Sequence, residues 1–142
     1  MIAKKPPQKT AVSSQSYPYY IGPAACGFPN PATDYAESSL SLDQLLIKHP
    51  AATFFAKADG DSMEWCGIMD GAVLVVDRSI RPVSGNIIIA IVDGELLVKR
   101  FIKKGDNVIL ASENPAYQPI VLKPGQTLDT WGVVTAAINQ FL

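Results

Sequence analysis

A turn dipeptide between two apolar runs is the feature that most restricts the fold of this chain. Asp93-Gly94 separates the β-branched run 86–92 from a second run, 95–103. A two-residue type I′ turn requires positive φ at both central positions, and Asp-Gly meets this requirement at low cost. The pattern therefore predicts an antiparallel β-hairpin in the middle of the chain.

Further strand signals surround this hairpin. Short β-branched or aromatic runs, punctuated by Gly, Pro and Asn, predict strands at 53–58, 72–76, 86–92, 95–103, 107–111, 119–122 and 128–137. Ser41 and Gln44 match a capping box and predict one short helix, from Leu42 to Lys48, that stops before Pro50. We expect a mostly β fold of antiparallel strands with a short N-terminal helix, arranged as a closed or partly closed barrel-like sheet.

The first 31 residues differ from the rest in composition. They hold six of the eleven prolines and three lysines but no acidic residue, whereas residues 32–142 carry nine basic and thirteen acidic residues. Such a segment buries too little apolar surface to offset its chain entropy. We therefore predict an extended flexible arm over 1–31, followed by one compact domain over 32–142.

Composition excludes several classes of function. The net charge of −1 gives no basic footprint for sequence-specific DNA binding. The longest apolar run, 87–92, is far shorter than the roughly 20 residues that a bilayer requires, so we expect a cytoplasmic protein with no membrane contact. Two isolated cysteines, Cys26 and Cys66, and the single His49 offer no metal-ligand spacing, and we predict neither a metal nor a cofactor.

A serine and a lysine are the candidate catalytic residues. Ser62 follows Asp61 where strand 53–58 gives way to a helix-compatible turn, and the backbone N–H groups of Asp61 and Ser62 could form an oxyanion hole there. Lys99 lies in the apolar run 96–102, where desolvation could make it a general base. Taken alone, Ser62 fits an N-cap and Lys99 a snorkelling lysine at a sheet edge. Lys57 competes as the base, but strand alternation directs it toward solvent.

One bond of the N-terminal arm is a candidate substrate. Cys26-Gly27 precedes Ser62 by 36 positions, and a glycine after the scissile bond lets a groove hold the backbone without a side-chain clash. Taken alone, the same residues fit an ordinary linker. The spacing of Cys26-Gly27, Ser62 and Lys99 together favours a serine nucleophile, a lysine base and a substrate within one chain.

Several segments together resemble the UmuD-like SOS mutagenesis proteins of the LexA-like self-cleaving serine peptidases (peptidase S24). These segments are Cys26-Gly27-Phe28-Pro29, the stretch 45–55, Gly60-Asp61-Ser62-Met63, Asp93-Gly94-Glu95 and Val98-Lys99. The resemblance covers about residues 24–142. It implies a LexA-like peptidase domain with a Ser-Lys dyad, in which Ser62 is the nucleophile and Lys99 the general base for cleavage of the Cys26-Gly27 bond.

The resemblance also implies partners and a pathway. Cleavage would be stimulated by a RecA filament on single-stranded DNA, and the shortened homodimer would join a UmuC-type Y-family polymerase in translesion synthesis after DNA damage. Only 26 proline-rich residues precede Gly27, where LexA repressors carry a helix-turn-helix domain, so the chain is closer to the mutagenesis branch. Two alternatives remain open: a non-catalytic β-rich adaptor that binds a polymerase or other protein, and a peptidase that acts on other chains.

Overall fold

The computed structural model describes residues 2–4, 15–21 and 36–142. The chain divides into two units, one formed by residues 1–10 with 49–142 and the other by residues 11–48. Within the described ranges the strands are β1 (Ile2–Lys4), β2 (Tyr17–Ile21), β3 (Ala36–Leu40), β4 (Thr53–Asp59), β5 (Val73–Asp77), β6 (Ile87–Val92), β7 (Glu95–Lys104), β8 (Asn107–Ala111), β9 (Ile120–Val121) and β10 (Asp129–Ile138). The helices are α1 (Leu42–Leu46) and two single 3₁₀ turns, Pro50–Ala52 and Glu64–Cys66.

The larger unit is built on one antiparallel sheet of eight strands. Their order is β1-β4-β5-β10-β6-β7-β8-β9. Strand β1 also contacts β7, so the sheet curls back toward itself as a partly closed barrel would. This architecture confirms the predicted mostly β, antiparallel fold.

The central hairpin forms as the sequence predicts. Strands β6 and β7 pair from Ile87 opposite Arg100 to Val92 opposite Glu95. The two turn residues between them have positive φ, 49° at Asp93 and 82° at Gly94, as a type I′ turn requires. The next turn, Gly105-Asp106, joins β7 to β8 with Lys104 opposite Asn107. These two tight turns fix the register of three consecutive strands.

The centre of the sheet depends on pairing between distant segments. Strand β10 lies between β5 and β6, and its register shifts once on each side, between Val134 and Ala136 and between Thr130 and Gly132. A Cβ at Gly132 would lie 2.7 Å from Cγ1 of Val76, so this position has no room for a side chain. The close approach allows the last strand to enter the middle of the sheet.

Two apolar clusters fill the larger unit. One includes Phe54, Met63, Leu74 and Val98, and the other includes Ile88 and Leu110. Met63 and Val98, the neighbours of the two candidate catalytic residues, are both fully buried. Each candidate is therefore anchored by an adjacent core side chain.

The smaller unit consists of the β2–β3 pair and helix α1. The Ser41 hydroxyl accepts a hydrogen bond from the Gln44 backbone N–H at 3.4 Å, as the capping box predicts. The helix ends at Leu46, two residues earlier than predicted, because Ile47 already has an extended backbone. No helix of the described ranges is long and apolar enough to cross a bilayer.

Three strands were not predicted from the sequence: β1, β2 and β3. The first two lie within residues 1–31, where β1 pairs with β4 and β2 pairs with β3. They are short, and β1 finds its partner more than 50 residues away, so local sequence patterns carry little signal for them. The division at residue 31 into an arm and a domain stays a prediction.

Candidate active site

Strand β7 carries Lys99 into the interior of the larger unit. Lys99 pairs with Ile88 of β6, and only 6% of its surface is exposed. The next residue, Arg100, points to the other face of the strand and forms an ion pair with Glu113. Lys99 takes part in no ion pair with any described carboxylate.

The amine of Lys99 has a neutral hydrogen-bond partner. Its Nζ donates to the Ser112 hydroxyl at 2.6 Å and lies 5.6 Å from the centre of the Tyr117 ring. Desolvation by burial lowers the pKa of Lys99 below its ordinary value of 10.5. Burial without a carboxylate partner favours the neutral amine, which is the form that can accept a proton.

Ser62 occupies the turn between β4 and the 3₁₀ turn Glu64–Cys66, with only 1% of its surface exposed. The Glu64 N–H donates to the Asp61 carbonyl at 3.1 Å, and this hydrogen bond closes the turn that contains Ser62. The Ser62 carbonyl accepts a hydrogen bond from the Asn114 N–H at 3.0 Å. The backbone of this serine is therefore fixed by contacts from both sides.

Residues 112–117, which we call the bridging segment, contact the neighbourhoods of both candidates. Ser112 binds Lys99, and Asn114 binds the Ser62 carbonyl through its N–H and the Asp61 carbonyl through Nδ2, the latter at 3.2 Å. The Tyr117 hydroxyl donates to the Asp61 carboxylate, and this hydrogen bond raises the pKa of Tyr117. One short segment thus joins the serine turn to the buried lysine.

The sequence matches a protein-family model over most of its length. Residues 18–135 match the model of the family described as Peptidase S24-like. The chain belongs to this family. The match confirms the resemblance drawn from the sequence, and it places the chain among the self-cleaving serine peptidases of the SOS response to DNA damage.

Several known proteins are similar to this chain over most of its length. Protein SamA of Salmonella typhimurium is 41% identical, with 99% of this chain and 96% of SamA aligned. Protein ImpA of Escherichia coli is 38% identical over 98% of this chain and 94% of its own length. The LexA repressor of Shewanella woodyi is 36% identical over 84% of this chain but only 58% of the repressor. SamA and ImpA therefore match this chain over more of their length than the repressor does.

The predicted site residues have different outcomes. Ser62 and Lys99 are both buried and both bonded to the bridging segment, whereas Lys57 is exposed, as strand alternation predicts. Their catalytic roles, and the oxyanion hole at the N–H groups of Asp61 and Ser62, stay predictions. The Cys26-Gly27 bond lies outside the described residues.

Sequence reasoning missed the partners of the two candidates. It did not identify Ser112, Asn114 or Tyr117, nor the ion pair between Glu113 and Arg100. The register of the β7–β8 hairpin is a signal that could have found Ser112. Arg100 lies opposite Ala111, so one further pair in the same register brings Ser112 opposite Lys99.

His49 is solvent-exposed but lies next to a buried carboxylate. Its side chain is 55% exposed, and its Nδ1 lies 2.5 Å from the carboxylate of Asp77. Burial alone would raise the pKa of Asp77, but hydrogen bonds from Ser79 and His49 outweigh burial and lower it. The only histidine of the chain is thus a hydrogen-bond partner of Asp77.

Proposed function

We propose that this chain cleaves its own Cys26-Gly27 bond, with Ser62 as the nucleophile and Lys99 as the general base. The observation that carries the proposal is a lysine with 6% exposure, whose Nζ donates to the Ser112 hydroxyl and whose pKa is lowered by burial. Burial of an ammonium costs free energy, so few structural roles call for a buried amine without a carboxylate partner. A lysine that acts as a general base must be neutral, and burial favours that form.

The proposed reaction has two steps. The neutral Nζ of Lys99 takes the hydroxyl proton of Ser62 while Oγ attacks the carbonyl carbon of Cys26, and the N–H groups of Asp61 and Ser62 stabilise the resulting oxyanion. The carbon–nitrogen bond then breaks, and the Lys99 ammonium returns its proton to the leaving amine of Gly27. Water hydrolyses the Ser62 ester in the second step, with Lys99 again as the base, and restores both side chains.

A substrate in the same chain compensates for a slow active site. Closing the loop of 36 residues between Cys26 and Ser62 costs on the order of 3 kcal/mol and gives a high local concentration of the bond. We propose that a RecA filament on single-stranded DNA stimulates cleavage by favouring the conformation in which the arm occupies the site. Weak intrinsic activity is then useful because cleavage is irreversible.

Cleavage also changes the charge that later partners meet. The first 26 residues hold three lysines and no acidic residue, so their removal takes the net charge from −1 to −4. We propose that the shortened form acts as a homodimer with a UmuC-type polymerase in translesion synthesis. Near full-length similarity to SamA and ImpA supports this branch over a repressor.

Substitution of the nucleophile tests the proposal most directly. The full chain would be incubated with a RecA filament on single-stranded DNA, and the products identified by mass spectrometry. We expect the native chain to yield a fragment that begins at Gly27, and Ser62→Ala to lower its rate of formation by on the order of a thousandfold or more. Ser84→Ala, which changes an exposed serine, is the matched control. An intact native chain after prolonged incubation would instead support a non-catalytic adaptor.

A further inference from the structure

Lys99 cannot hold its own amine in place. Four rotatable bonds separate its backbone from Nζ, whereas proton transfer from a hydroxyl requires an approach of roughly 3 Å. We propose that Ser112 is the positioning residue for Lys99, fixing Nζ for the proton transfer. This inference rests on the proposed function, and it assigns a role to a residue outside the Ser-Lys dyad.

The backbone of Ser112 is well placed for this role. It directly follows Ala111, the last residue of β8, which pairs with Arg100. It directly precedes Glu113, whose carboxylate forms an ion pair with the same Arg100. Both chain neighbours of Ser112 therefore contact Arg100, the residue next to Lys99. This register brings the Ser112 hydroxyl within 2.6 Å of Nζ.

The chemistry of a hydroxyl also suits the role. A serine hydroxyl both accepts and donates hydrogen bonds, so it can hold Nζ as an ammonium and as a neutral amine. A carboxylate at this position would favour the ammonium and raise the pKa of Lys99, which would remove the base at neutral pH. Ser112 therefore positions the amine without opposing its deprotonation.

Three variants of the full chain test this role, with the rate of spontaneous self-cleavage measured against pH. We expect Ser112→Ala to lower the rate about tenfold to a hundredfold at every pH, including the alkaline plateau, because a misplaced amine stays misplaced when neutral. Ser112→Thr keeps the hydroxyl and is expected to restore most of the rate. Ser112→Asp is expected to move the midpoint of the pH profile to higher pH, since a carboxylate stabilises the ammonium.

The controls separate this inference from the proposed function. Ser84 accepts a hydrogen bond from the Lys103 N–H on an exposed surface, and Ser84→Ala should leave the rate and the pH profile unchanged. Native rates and profiles in both Ser112→Ala and Ser112→Asp, with Ser62→Ala inactive, would overturn the role of Ser112 and leave the dyad intact. Normal cleavage by Ser62→Ala would overturn the proposed function itself. Thermal unfolding of each variant identifies any loss of rate that follows from loss of fold.

Discussion

Strands β4 and β7 each carry a lysine in the body of the same sheet, but the two side chains have opposite environments. Lys57 of β4 lies opposite Val73 on an exposed face, and its strand alternates regularly between buried and exposed residues. Lys99 of β7 is 6% exposed and contacts Ser112 and Tyr117. The bridging segment covers Lys99, and no described hydrogen bond ties it to Lys57. Burial of a strand lysine is thus decided by what lies over its face of the sheet.

This difference has a chemical consequence. Desolvation lowers the pKa of Lys99, and we propose Lys99 as the base. Lys57 is exposed and keeps its contact with water. The comparison therefore predicts that the same substitution will have very different effects on cleavage at Lys57 and at Lys99.

The largest expected difference is in self-cleavage. Lys99→Ala removes the proposed base, and we expect the rate of Gly27 fragment formation to fall by on the order of a thousandfold or more. Lys57→Ala removes the same side chain from an exposed position of β4 and should leave the rate within about twofold of native. The fragment is quantified by mass spectrometry at fixed pH. Loss of cleavage in Lys57→Ala with activity retained in Lys99→Ala would mean that the base is misassigned.

The pH dependence of cleavage gives the second largest effect. Below the pKa of Lys99 the neutral fraction of its amine rises tenfold per pH unit, so the rate of spontaneous cleavage should rise by about the same factor. The profile should level off below pH 10.5, because burial lowers the pKa of Lys99 from that value. Lys57→Ala should show the same slope and the same plateau. A rate independent of pH would exclude a lysine base at this site.

Sequence patterns were sufficient for the strands that local turns define. The β6–β7 hairpin follows from Asp93-Gly94, and the predicted strand 107–111 has the observed bounds of β8. The insertion of β10 between β5 and β6 could not be predicted in this way. It depends on two register shifts and on the absence of a side chain at Gly132, which only the packed sheet explains.

In the candidate site, too, residues with a local sequence signal could be predicted and contacts between distant segments could not. Ser62 and Lys99 could be selected because a glycine-containing turn and an apolar run give each a recognisable local context. The bridging segment has no periodic pattern, and its contacts with Asp61 span more than 50 residues of sequence. Ser112 is intermediate between these cases, because its position opposite Lys99 follows from a hairpin register that local turn chemistry determines.

The smallest expected effect is on the free energy of unfolding. It compares Lys99 with Lys57 without relying on the cleavage reaction. A buried ammonium opposes folding, so Lys99→Met should raise the free energy of unfolding by about 1 kcal/mol at pH 7, whereas Lys57→Met should change it by less than about 0.5 kcal/mol. In the pH range between the lowered pKa of Lys99 in the folded chain and 10.5, the unfolded chain binds more protons than the folded chain. The free energy of unfolding of the native chain therefore increases as the pH rises through this range. The advantage of Lys99→Met should therefore shrink as pH approaches 10.5. Urea unfolding at several pH values measures both variants, with Ser62→Ala in the background to prevent cleavage. A Lys99→Met advantage that stays constant with pH would show that Lys99 is protonated equally in both states, and that burial does not make it a base.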